Sequence, residues 1–246
     1  MKRLPHDGVH SVLNVQIDEK RFTPARGESL LTINGLRFEV AAGRFTCLVG
    51  PSGCGKSTTL RIILGLDTDY NGVVTKQHSD RIAAVFQEPR LLPWRTVREN
   101  VELCLHDSDI KKESLQELFE ILELQELADF YPAELSLGLA RRVAIARAFA
   151  TEPGVLILDE PFVSLDNNTA NTLRKLLLQV WQQRPTTVLM VTHNVEEAAM
   201  LADNVLVMAQ RPTRVLADIP IETARTERDS ETLGKISQAI ETAKDS

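Results

Sequence analysis

Cysteine is scarce in this sequence, and the three present, Cys47, Cys54 and Cys104, show no C-x-x-C spacing. An odd number without that spacing argues against a disulfide framework or a zinc site and fits reduced thiols in a reducing compartment. Positive charge is not in excess either: 28 Lys and Arg stand against 34 Asp and Glu, a formal net charge of −6. Binders of nucleic acid draw their affinity from Lys and Arg on phosphates, so no nucleic-acid partner is expected. No apolar run approaches the roughly 18 residues that a membrane-spanning helix needs. At the start, Lys2 and Arg3 precede no apolar core, unlike a signal peptide. These absences predict a cytosolic chain that meets a membrane only through a partner. A length of 246 residues with 43% hydrophobic content suits one α/β domain with insertions, or two small domains.

What is present begins with β-like texture from Val12 to Val49, where Val12–Ile17 and Leu36–Val40 alternate and Ala42-Gly43 makes a turn. Residues 1–11 read as a mobile arm and Pro24-Ala25-Arg26-Gly27 as a loop. Asn71-Gly72 is a turn signal before Val73-Val74-Thr75, and Ile82–Phe86 is a short buried strand. From about 97 to 150 the pattern turns helical, with an apolar stripe through Leu115, Leu118, Phe119 and Leu122. Ser136 precedes a helix expected over Leu137–Ala150, which ends before Pro153-Gly154. Val155–Leu158 and Val188–Val191 are apolar without alternation, as strands of a parallel sheet covered on both faces are. Asn168–Gln183 reads as the helix between them, Asn204–Met208 and Thr213–Ile219 as a closing hairpin, and Leu233–Ala243 as a last helix.

The sharpest motif is Gly50-Pro51-Ser52-Gly53-Cys54-Gly55-Lys56-Ser57, followed by Thr58, which fits G-x-x-x-x-G-K-[S/T]. Strand-like Phe45–Val49 leads into it and a helix-like run from Thr58 to Leu66 leaves it, the setting a phosphate-binding loop requires. Glycines let backbone N–H groups converge on phosphate oxygens, while the helix turns its positive end toward them. Lys56 can then reach the β/γ-phosphates and Ser57 can place its hydroxyl on Mg²⁺. Cys54 occupies a position where the motif accepts any residue and reads as filler, although alkylating it is expected to block nucleotide binding sterically. In Leu156-Ile157-Leu158-Asp159-Glu160, two carboxylates stand at the C-terminal end of a buried strand, the edge where ligands of open parallel sheets sit. Asp159 suits Mg²⁺ and Glu160 an attacking water.

With these residues in place, the sequence resembles the ATP-binding subunits of ABC transporters from about Val12 to Ile219. The resemblance implies an α/β P-loop NTPase core with a parallel sheet, an N-terminal antiparallel β layer and an inserted helical subdomain at about 96–150. Residues 12–220 would form a single ATPase domain and 221–246 a C-terminal tail. It further implies that Gln87 senses the γ-phosphate and Mg²⁺, that His193 contacts the γ-phosphate, and that Phe22 stacks on adenine. Ser164-Leu165-Asp166 resembles the loop that crosses to a partner subunit. The signature segment L-S-G-G-Q stands here as Leu135-Ser136-Leu137-Gly138-Leu139, with Ser136 and Gly138 kept and two leucines in place of a glycine and the glutamine. In the family this segment closes over the γ-phosphate bound by the opposite subunit, so a homodimer with two ATP and Mg²⁺ is implied.

Pro89–Val97, Arg211–Val215 and the Arg225–Ser230 tail are similar to importers of nitrate, sulfonates, taurine and related solutes. That branch implies integral membrane permease subunits, a separate substrate-binding protein, and a peripheral place on the cytoplasmic face of the bacterial inner membrane. Trp94 is a candidate for the groove that receives the permease, or for local packing. A DNA-repair ATPase would need a long coiled coil between Ser57 and Leu135, which the interval does not hold. An ABC ATPase without a permease, and a weakly hydrolytic nucleotide sensor suggested by Leu137 and Leu139, remain as alternatives.

Overall fold

The computed structural model describes residues 11–23, 28–76, 81–105 and 112–244, in two compact units, Met1–Ser79 with Thr187–Ser246 and Asp80–Thr186. The arm expected at residues 1–11 falls, but for Ser11, outside the described residues, as does the loop expected at Pro24–Gly27. The chain enters the first unit with β1 (Ser11–Phe22), β2 (Leu30–Ala41), β3 (Phe45–Val49), α1 (Lys56–Ile63) and β4 (Asn71–Lys76). It forms the second with β5 (Ile82–Val85), α2 (Val97–Glu102), α3 (Lys112–Ile121), α4 (Leu137–Ala150), β6 (Val155–Asp159) and α5 (Asn167–Gln183). It returns to the first with β7 (Thr187–Thr192), α6 (Val195–Leu201), β8 (Asn204–Met208), β9 (Val215–Pro220) and α7 (Ser230–Lys244).

In the first unit β1 lies between β2 and β4, antiparallel to both. Alternation in the sequence becomes alternation in burial: Leu13, Val15 and Ile17 face inward on β1, as Leu36, Phe38 and Val40 do on β2. Lys20 ends that inward face and is 6% exposed, its ammonium compensated by the Asp67 carboxylate at 2.8 Å. The Asn71-Gly72 signal does not make a hairpin turn. Both residues open β4, and Gly72, at φ 139, is glycine because a Cβ there would lie 2.1 Å from the Gln16 carbonyl oxygen on β1.

The other sheet of this unit places β3 between β7 and β8, parallel to both, with β9 antiparallel to β8. All five residues of β3 and all six of β7 are buried, which is why neither alternates. Each large apolar side chain removed from water there contributes about 1.5–3 kcal/mol before entropy is counted. The closing hairpin forms, but β9 starts at Val215, since Thr213 bridges to Ile33 of β2 instead. Beyond it, Arg225 Nε donates to the Leu201 carbonyl, and Arg228 Nη1 to those of Ala199 and Met200. Two cations thus sit where the last turn of α6 leaves carbonyls open and its dipole is negative.

In the second unit β5 and β6 pair in parallel, from Ile82 opposite Val155 to Val85 opposite Leu158. The helical segment packs on the stripe expected of it, Leu115, Leu118, Phe119 and Leu122 all being buried. Thr96 and Glu99 form a reciprocal capping box on α2. The Asp166 carboxylate accepts from the N–H groups of Asn168 and Thr169 and caps α5. A hydrogen bond from the Thr169 side chain first of all, then those from the Thr169 and Asn168 N–H groups, hold its pKa below the ordinary value. Among the described residues, no helix is long and apolar enough to cross a membrane.

Candidate functional site

The phosphate loop leaves β3 at Val49 and enters α1 at Lys56. Its shape depends on two positive dihedrals, φ 74 at Gly53 and φ 120 at Gly55. Gly55 stands at the N-cap of α1 and, being glycine, offers no side-chain cap of its own to the first turn. Lys56 is 4% exposed and its ammonium donates to the carbonyls of Gly50 at 2.7 Å and Pro51 at 2.9 Å. These two bonds hold a nearly buried charge across the mouth of the loop. Thr59 Oγ1 donates to the Gly55 carbonyl and locks the first turn of α1 from behind. Pro51, Ser52, Gly53 and Ser57 are exposed, Thr58 is half-buried, and Gly50 is buried against Met208.

Cys54 is fully buried, and burial pushes its thiol pKa up. Alkylation is therefore not a practical block of the loop, since the thiol is neither open to reagent nor readily ionised.

Val49 of β3 stands opposite Thr192 of β7, so Gly50 and His193 leave adjacent parallel strands at the same edge. His193 is exposed there. The turn that carries it is fixed on its far side: Thr192 Oγ1 donates to Glu197 at 2.6 Å, and Asn194 Oδ1 accepts from the N–H groups of Glu196 and Glu197. Phe22 ends β1, opposite Leu30, in the sheet that does not carry the loop. It is 60% exposed, and so is not a core residue.

The second unit assembles the other group. Val85 stands opposite Leu158, so Gln87 and the pair Asp159–Glu160 leave β5 and β6 at one edge. Gln87 is exposed and both acids are half-buried. Glu160 has φ 46 and Ser164 φ 61, left-handed backbone at two non-glycine positions within five residues.

Helix α4 is tied to both sides of this edge. Arg141, 3% exposed, donates from Nη1 to the Pro161 carbonyl at 2.9 Å and from Nη2 to the Gln87 carbonyl at 3.3 Å. Further along the helix, Arg147 donates to the carbonyls of Pro89 and Arg90, and burial lowers its pKa from the ordinary value. Asn100, fully buried, closes the same segment by donating to the carbonyls of Leu92, Arg95 and Thr96 and accepting from the Leu92 N–H. Residues 89–96 are thereby held as a firm ridge with Trp94, 68% exposed, upon it. Local packing does not account for Trp94. Nothing in the sequence marks Arg141, Arg147 and Asn100 as functional, because their partners are loop carbonyls that carry no residue-type signal.

At the head of α4, Ser136 Oγ accepts from the Leu139 N–H, the expected cap. Leu137 is 42% exposed. Gly138 has a reason inside the chain: a Cβ there would come within 2.5 Å of Thr169 Cγ2 on α5. The structure thus brings the loop and His193 together in one unit, and Gln87, Asp159, Glu160 and the signature helix together in the other.

Residues 33–163 match the model of the ABC transporter family. The aliphatic sulfonates import ATP-binding protein SsuB of Bacillus subtilis (strain 168) is 40% identical over 219 residues, covering 86% of each chain. The SsuB 1 protein of Pseudomonas syringae pv. syringae (strain B728a) is 41% identical over 221 residues, 89% of this chain and 90% of that one. Among solved structures, the dimeric post-hydrolysis state of the ATP-binding cassette MJ0796 bound to ADP and Pi is 28% identical, with a TM-score of 0.71. It covers 86% of this chain and 100% of that one. With the loop, the acidic strand end and the capped α4 all in place, the chain belongs to the ABC transporter family.

Proposed function

We propose that this chain binds and hydrolyses ATP as one of a pair of identical subunits, and so energises a membrane permease that imports a small sulfonate-like solute. The observation that carries the reading is the phosphate loop. The N-terminal end of α1, the positive-φ glycines and the spanning Lys56 form an anion cradle. The solute class rests on the import proteins named for aliphatic sulfonates that cover most of the chain.

In this reading Gly50–Thr58 wraps the phosphates and Lys56 exchanges its two carbonyl partners for β- and γ-phosphate oxygens. Ser57, Gln87 and Asp159 all offer oxygen, the donor Mg²⁺ prefers, and they would hold it together with the phosphates. When bound, Mg²⁺ neutralises charge on the transferring phosphoryl group. Glu160 polarises the attacking water and His193 steadies the γ-phosphate, while Phe22 offers a face to adenine. Ser136 and Gly138 serve the nucleotide held by the opposite copy, their helix end facing its γ-phosphate.

The ridge at 89–96 with Trp94 is the surface for the permease, and a substrate-binding protein acts only through it. The subunit is peripheral, at the cytoplasmic face of the membrane. The test is phosphate release by the chain assembled with its co-encoded permease in vesicles. Release that rises when sulfonate-loaded binding protein is added is the expected result. ATPase activity indifferent to both partners would favour an ABC ATPase that serves no transporter.

Leu137 supports a second, narrower point. It is exposed where two copies must approach, so its bulk loosens closure without removing the Leu137 N–H from the helix end. Leu137→Gly in the assembled complex is expected to tighten the apparent ATP affinity about fivefold, equivalent to about 1 kcal/mol of recovered closure. Unchanged rate and affinity would show that the leucine is neutral.

A further inference from the structure

The turn between β8 and β9 reaches the phosphate loop at both of its positive-φ glycines. Arg211 Nε donates to the Gly53 carbonyl at 2.5 Å, and its Nη2 lies 3.7 Å from where a Cβ on Gly53 would stand. Thr213 is fully buried, with Oγ1 2.5 Å from where a Cβ on Gly55 would stand. That hydroxyl has no hydrogen-bond partner. Its place is fixed by backbone bonds to β2, from Thr213 N–H to the Thr32 carbonyl at 2.8 Å and from Asn34 N–H to the Thr213 carbonyl at 3.1 Å. Behind the turn, the Ala209 N–H donates to the Arg214 carbonyl and ties its ends together. One side chain therefore pulls on Gly53 while another fills the space against Gly55, from a base anchored in a different strand.

We propose that Arg211 is a positioning residue for the phosphate loop, which presets the peptide between Gly53 and Cys54 before nucleotide arrives. The physical step is short. A trans peptide points its C=O and N–H in opposite directions, so holding the Gly53 carbonyl outward on Arg211 aims the Cys54 N–H back into the loop. The Cys54 N–H now donates to the Pro51 carbonyl at 3.3 Å, a long bond that a phosphate oxygen would readily replace. Without Arg211 the peptide from Gly53 to Cys54 is held on this side only by the long Cys54–Pro51 bond, and anion binding must pay for ordering it. Thr213 limits the same motion sterically at Gly55. Neither residue touches the reacting atoms, so the effect belongs to binding.

This inference rests on the nucleotide reading above, and the test separates the two. ATP binding and steady-state hydrolysis are measured for the full chain and for Arg211→Ala and Arg211→Lys. In Arg211→Ala the KM and Kd for ATP are expected to rise about tenfold, the size of one charge-assisted hydrogen bond lost, with kcat held within about twofold. Arg211→Lys, which keeps a donor on a long stem, recovers more than half of the loss. A residue that merely supported the fold would lower the melting temperature and the active fraction but leave KM unchanged. Unchanged ATP affinity in Arg211→Ala beside a wild-type chain that binds ATP overturns the positioning role alone, as does a parallel fall of kcat. A wild-type chain that fails to bind ATP overturns the nucleotide reading and this inference together.

Discussion

Glu160→Gln is expected to leave ATP bound while turnover falls by about 10²–10⁴-fold, the range that a positioned general base supplies. Glu160 follows the last residue of β6 and is held at φ 46, so its direction is set by backbone and does not depend on a flexible loop. The neighbouring Pro161 is in turn gripped through its carbonyl by Arg141. Gln keeps the volume and one acceptor oxygen, and so preserves packing and polar contacts. It loses the carboxylate charge that, in the proposed mechanism, draws a proton from water as the γ-phosphoryl transfers. Affinity should change little, because the proposed reading assigns the phosphates to Lys56 and the α1 amides. Equilibrium ATP binding and phosphate release on the same protein check both halves. Near-normal release would remove Glu160 from the role of water-positioning base and leave Asp159 or His193 to be examined.

Much of the fold could be read from the sequence where the physics is local. The apolar runs of β6 and β7 announce strands covered on both faces, and burial of every residue in β7 is what that pattern means. Helix α4 begins and ends where expected because Ser136 supplies a cap and Pro153-Gly154 cannot continue it. Asn71-Gly72 misled for an instructive reason. Glycine serves turns and close backbone approach equally, and only the position of the Gln16 carbonyl on another strand says which is needed. The site divides the same way. Residues of the loop and the acidic strand end are marked by type and spacing. The groups that hold those residues in place, such as Arg141, Arg147 and Arg211, donate to backbone carbonyls far along the chain, and no sequence pattern identifies a carbonyl as a partner.

Arg141 illustrates how much such a group carries, and Arg141→Met is the second large effect expected. Its guanidinium joins three pieces of the second unit: α4, whose head is the signature segment, the segment leaving β5 at Gln87, and the segment leaving β6 at Pro161. Methionine fills a similar volume but strands two carbonyl groups whose donors were charged. Hydrogen bonds to charged groups are worth about 1.5–3 kcal/mol each, and a side chain that is 3% exposed is screened little by water. A net loss of about 2–4 kcal/mol follows, which lowers the melting temperature by roughly 5–15 °C in a chain of this size. Function should suffer in a particular way. With the bridge gone, Gln87 and Glu160 are no longer held to the helix that begins at Ser136, so kcat falls while the KM for ATP, set by the phosphate loop, stays near its wild-type value. Arg141→Lys should recover at most part of the rate, because a single ammonium cannot hold both carbonyls with the geometry of a planar fork. Thermal unfolding and steady-state kinetics on the three proteins decide the matter. Wild-type stability together with wild-type kcat in Arg141→Met would mean that the two loops keep their places without the bridge. A KM that rises with the stability loss would mean instead that the second unit shapes ATP binding itself.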